Sequence, residues 1–162
     1  DWAVVEREQS KPQGGKKTIP LTRDVVLKEG QNLIVGDTVF KFYFTPGHTP
    51  GATSIEFQVR DGSRSYRAIA PGGLGLTFGP DQNATFLKSM SRLKELGPWD
   101  VALGNHPFLM PRDVEEIGKE LAKRPQGAMH PGVVGSAKIS EWFDAIARTV
   151  REKEAYEKSG KP

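Results

Sequence analysis

Cysteine is absent from the 162-residue chain. That excludes disulfides, zinc ribbons and thiol nucleophiles, and leaves the redox compartment open. No stretch approaches the ~18 consecutive apolar residues of a spanning helix, so no membrane partner is expected. Asp1 to Arg7 lack a basic segment followed by an apolar one, so no signal peptide is expected there. There is also no initiator Met, which a removed leader, a removed tag or a cut chain would each explain. Charge of one sign is not concentrated either. The net charge is +3, and the basic residues Arg148, Arg151, Lys153, Lys158 and Lys161 alternate with Glu152, Glu154 and Glu157. That is a solvated helix face with i,i+4 pairing, so no nucleic-acid partner is expected.

What remains is soluble globular material, 36% hydrophobic and 27% charged, of a length that suits one domain. Glycine (18) and proline (12) are plentiful, which makes the chain rich in loops, where sites are usually built. Residues 1–23 read as a short amphipathic start and a loop, with the polar stretch Ser10 to Lys17 on the surface. From Val25 to Ala70 the pattern is β. The runs Val25–Leu27, Asn32–Val35, Thr38–Thr45, Ala52–Arg60 and Ser65–Ala70 are separated by turn residues. Only Lys41 is clearly polar between Val39 and Phe44, which predicts a strand covered on most of both faces.

After the glycine-rich Pro71 to Gly79, the spacing of Phe86, Leu87, Met90 and Leu93 predicts a helix that stops at Gly97-Pro98. Asp100 to Leu103 reads as a short buried strand. Asp113 and Glu116 resemble a capping box opening a helix with Val114, Ile117 and Leu121 on one side. The last helix is expected from Ala137 to Glu157, with Ile139, Trp142, Phe143, Ile146 and Val150 as its apolar stripe. The order predicts an α/β domain: one mixed sheet with helices packed on one face.

The three histidines carry the candidate chemistry. His48 lies in Thr45-Pro46-Gly47-His48-Thr49-Pro50-Gly51, a stiff turn at a strand end that presents an imidazole with little conformational freedom. His106 lies in Gly104-Asn105-His106-Pro107, past the short strand, and His130 lies in Met129-His130-Pro131-Gly132. A single loop histidine is more often solvated or satisfied than ligating. Two do not complete a zinc site, which takes about three protein ligands and a water, and no Asp or Glu stands at helical spacing from His48 or His106. Gly72-Gly73-Leu74-Gly75 lacks the Lys-Ser/Thr pair of a phosphate loop and reads as a tight turn.

The turn around His48 resembles the TPGHTPG loop of the metallo-β-lactamase superfamily. Pro20–Gly30 and Leu33–Asp37 are similar to segments flanking that loop in the superfamily. Leu103–Phe108 resembles the late metal-binding His-Pro loop of its third, His-rich subclass, and Met129–Gly135 with the final helix resembles that subclass's C-terminal segment, so that the resemblance spans roughly residues 1–157. Two departures stand out. The superfamily's first metal motif, His-x-His-x-Asp-His, is not in the chain. The segment Ala70-Pro71-Gly72-Gly73 also lacks the Asp or Cys ligand of many members, as the third subclass does.

The resemblance therefore implies the C-terminal half of an αββα sandwich, residues 1–162 being that half, with helices on the outer face of a mixed sheet. It implies a zinc-dependent hydrolase acting on a small-molecule β-lactam, or a similar cyclic amide or ester. Such a parent would hold two zinc ions, with His48 a ligand of the first and His106 of the second. No catalytic residue is expected in this chain, which alone would be inactive, and His130 is taken as structural. An antibiotic-resistance role and a periplasmic or secreted location come with the resemblance. The inner sheet face should be covered by the missing N-terminal half or by a second copy. The alternatives are another superfamily hydrolase, a lactonase or thioesterase, or a metal-free binding or structural module.

Overall fold

A computed structural model of the chain describes residues 25–160. The expected amphipathic start and the surface stretch Ser10 to Lys17 lie outside the described residues. Five strands form one sheet in sequence order: β1 (Asn32–Val35), β2 (Thr38–Phe44), β3 (Thr53–Asp61), β4 (Arg64–Ala70) and β5 (Val101–Ala102). The first four pair antiparallel and β5 joins β4 in parallel, so the sheet is mixed as expected. Val25–Leu27 is not a strand. Val25 and Val26 are exposed, and the pairing edge of β2 is already taken by β1.

Cross-strand partners share a face, and the register sorts the sheet into two. Lys41, Glu56, Ile69 and Ala102 form one row of partners on the outer face. Helix α1 (Asn83–Glu95) and helix α3 (Ser136–Lys158) cover that face and pack on each other. The core there joins Tyr43 and Ile69 to Phe86, Met90 and Leu93 of α1 and to Ile139, Phe143 and Val150 of α3. Those helical residues are at most 2% exposed, so the periodicity of both segments matches their burial. α1 ends at Glu95, and the chain leaves it through a cis Gly97–Pro98 bond.

Charge is admitted to this face only when paired. The Glu56 carboxylate accepts from Arg67 Nε (2.6 Å) and from the Tyr43 hydroxyl (2.6 Å). Burial alone would raise its pKa, but these two bonds hold it below the ordinary carboxylate value. Arg67 in turn lies over the Trp99 ring, 4.2 Å from its centroid.

The opposite, inner face carries Phe42, Ile55, Phe57, Ala68 and Val101. Phe42 and Tyr43 are both buried, on opposite faces, as the apolar β2 sequence requires. Helix α2 (Val114–Ala122) differs from the other two. Asp113 caps it, with Oδ1 accepting from the Glu115 (2.7 Å) and Glu116 (3.0 Å) amides. Its stripe stays out of the outer core: Val114 and Leu121 are exposed. Val114 and Ile117 instead line a cavity of about 310 Å³ together with Val59, Tyr66 and Val101 of the sheet. The segment after α2 is tied to the far end of β3 by the Arg124–Asp61 ion pair at 2.6 Å.

Candidate functional site

Antiparallel pairing of β2, β3 and β4, followed by parallel β5, places three loops at one end of the sheet. They are the loop from β2 to β3 (45–52), the loop after β4 (71–79) and the loop after β5 (103–106). His48 is in the first and His106 in the third. The topology thus brings both expected ligands to one sheet edge, from elements far apart in sequence.

The His48 turn is braced by polar groups the chain cannot leave unpaired. Thr45 N donates to Ala52 O (2.9 Å) and Gly47 N to Thr49 O (3.1 Å). The buried Thr45 and Ser54 hydroxyls bond each other at 2.7 Å, and Gly72 N donates to Ser54 Oγ at 3.0 Å. Ser89 of α1 closes the turn from outside, its hydroxyl donating to Pro46 O at 2.6 Å.

The imidazole itself is half-buried and bonded to the second loop. His48 Nδ1 lies 2.7 Å from the Gly75 carbonyl oxygen. A carbonyl only accepts, so Nδ1 carries the proton and Nε2 is left with its lone pair. That is the tautomer of a histidine whose outer nitrogen is to ligate a metal. Gly73, at φ +64°, lets the loop close on the ring: a Cβ there would stand 2.7 Å from His48 Cβ. Phe78 meets the imidazole edge to face, with centroids 6.5 Å apart and planes at 79°. The tight turn expected at Gly72–Gly75 is therefore the cradle of His48. Its glycine density was the only trace of this in the sequence, and Phe78 left none.

His106 is exposed and stacks on Phe108, with centroids 5.2 Å apart and planes at 11°. Phe108 is itself 80% exposed. His130 is at the other end of the sheet. Its amide donates to Asp61 Oδ2 (3.2 Å) and its Nδ1 accepts from the Gly132 amide (3.0 Å).

The fit to a metal is partial. His48 has the outer bond and free nitrogen of a ligand, and His106 faces solvent at the same sheet edge. Among the described residues, however, no three His, Cys, Asp or Glu side chains gather closely enough to hold an ion. His48 and His106, the two expected ligands, do not by themselves make a metal centre, so no catalytic step is assigned to them.

No protein-family model matches the chain, and no curated protein does. Solved structures do. The native FEZ-1 metallo-β-lactamase of Legionella gormanii is 24% identical, with TM-score 0.73, over 88% of this chain and 55% of that one. BJP-1, a subclass B3 metallo-β-lactamase of Bradyrhizobium japonicum, is 20% identical, with TM-score 0.70, over 91% and 56%. The class B3 di-zinc enzyme LRA-12 from an Alaskan soil metagenome is 18% identical, with TM-score 0.57, over 85% and 52%. The fold is thus part of a metallo-β-lactamase fold. The chain spans about half the length of these structures.

Proposed function

We propose that this chain is the C-terminal half of a zinc-dependent hydrolase that opens a β-lactam amide or a similar cyclic amide or ester. The observation that carries the reading is the Nδ1–H bond of His48 to Gly75 O at 2.7 Å, which leaves Nε2 ready to ligate at the shared sheet edge. His48 would serve the first zinc and His106 the second, with the remaining ligands in the N-terminal half. Zinc in such a centre lowers the pKa of a bound water and polarises the scissile carbonyl. This chain's part is to hold two neutral nitrogens in place. The length of the neighbours, nearly twice the matched span, supports this reading.

The test is zinc per chain, by elemental analysis beside a thermal melt, in a protein that joins this segment to its first half. Two ions are expected, about one after His106→Ala, and a steep activity loss in both His48→Ala and His106→Ala. The fold should survive both, but His48→Ala, which leaves the Gly75 carbonyl without its partner, should melt lower than His106→Ala. His130→Ala should keep both metals. Unchanged zinc in the first two variants, or metal loss in the third, would show the wrong histidines to have been chosen. A screen with β-lactams, lactones and thioesters separates the substrate classes.

A half-sandwich also predicts how the chain behaves alone. The part of the inner face left open, around Phe44 and Leu103, should pair with its missing half or, without it, with a second copy. Phe44 at 40% and Leu103 at 37% exposure stand on or beside that face. Self-association is expected by light scattering, with binding of an apolar dye. A monomer at high concentration that binds no dye would refute it. No hydrolysis is expected from the isolated chain.

A further inference from the structure

The His48 cradle does not end at its own loop. Phe78, which walls the imidazole, also stacks against Phe86 at 4.9 Å and is 7% exposed. Over its ring stands the Lys153 ammonium of α3, 4.8 Å from the centroid. Two oxygens hold that ammonium: Glu157 Oε1 at 2.5 Å and Asn83 Oδ1 at 3.1 Å. The other end of the Asn83 amide donates to Glu157 Oε2 at 2.7 Å. Asn83 is only 2% exposed, and both ends of its amide are used.

We infer that Lys153 and Glu157, near the C-terminal end of α3, position the His48 imidazole through Asn83 and Phe78. The physical argument is one of degrees of freedom. The loop 71–79 supplies both constraints on the ring, the Gly75 carbonyl and the Phe78 wall. Its start is pinned at Gly72 to Ser54. Its end passes through the short 3-10 turn Pro80–Gln82 into α1, whose first residue, Asn83, is bonded by the charged pair from α3 while Lys153 covers Phe78. Were the clamp loosened, Phe78 could turn away, and the imidazole could rotate off Gly75 O. The same helix has a solvated pair of identical spacing, Lys158 Nζ to Glu154 Oε1 at 2.8 Å, 74% and 35% exposed. By contrast the Lys153–Glu157 pair is 20% and 23% exposed. Desolvating a pair costs more than leaving it in water, so its gain must come from what it holds in place. These are positioning residues. Their role matters for catalysis only if His48 ligates a metal, so the inference rests on the reading above.

The experiment uses the metal-free 162-residue chain labelled with ¹⁵N at its three histidines, at a pH where the imidazoles are neutral. In the unmodified chain His48 should show the Nδ1–H tautomer. Lys153→Met and Phe78→Leu both keep apolar bulk. Each should release His48 to a mixture of tautomers, whereas Lys158→Met should not. The inference is overturned if both variants keep the Nδ1–H tautomer, or if Lys158→Met matches them. Loss of that tautomer in both variants, with no zinc bound by the protein that joins this segment to its first half, refutes the metal reading and leaves the positioning of the ring standing.

Discussion

Truncation after Gly135 is expected to yield insoluble protein, and Phe143→Ala alone to cost about 3–5 kcal/mol. Phe143 is 1% exposed and belongs to the core that α3 shares with α1 and the sheet, with Ile139 and Val150 fully buried on the same stripe. Each large side chain is worth ~1.5–3 kcal/mol of burial. Several lost together exceed the ~5–15 kcal/mol by which a domain of this size is stable. The truncation also strips Ile69, Leu93 and Ala102 of their cover. Expression and a melt of the Phe143→Ala chain give the measurement. A truncated chain that stays soluble with a cooperative melt would contradict the assignment of α3 as structural.

Gly72→Ala should be the most damaging of the small substitutions. A Cβ at Gly72 would stand 2.2 Å from Thr53 O and 2.7 Å from Thr53 C. These are backbone atoms at the start of β3, and they cannot swing aside as a flexible side chain would. Either the strand or the His48 cradle must move, at a cost of about 3 kcal/mol or more. The loss should appear both as a lower melting temperature and as a disturbed His48 signal. Gly118→Ala is the matched control. Gly118 lies inside α2 with nothing within 4 Å of a Cβ, so alanine should raise stability by about 0.5–1 kcal/mol there. Similar melts for the two variants would overturn the steric argument.

Much of the fold was legible along the chain because it rests on local repetition. The stripes at Phe86, Met90 and Leu93, and at Ile139, Phe143 and Val150, are helix periods read directly. Asp113 announced its cap, while the apolar run of β2 is buried on two sides only at Phe42 and Tyr43, with Val39 and Phe44 exposed. Val25–Leu27 misled because a run of branched residues has strand character whether or not a partner edge is free. α2 shows the same limit. Its stripe is as periodic as the others, but periodicity says only that a face is apolar, not against which layer it lies.

The candidate site divides along the same line. Residue order marked three histidines in loops rich in proline and glycine, and only the resemblance to a known family set His48 and His106 apart from His130 as expected ligands. That both histidines share one sheet edge follows from strand pairing, which joins Glu56 to Ile69 and Ile69 to Ala102 across long separations. That His48 is held by Gly75, 27 positions away, and walled by Phe78 under Lys153 could come only from the packed molecule. A hydrogen bond between distant residues has no periodic signature. It exists because the sheet register and the helix docking bring two loops within reach, and those are properties of the whole fold.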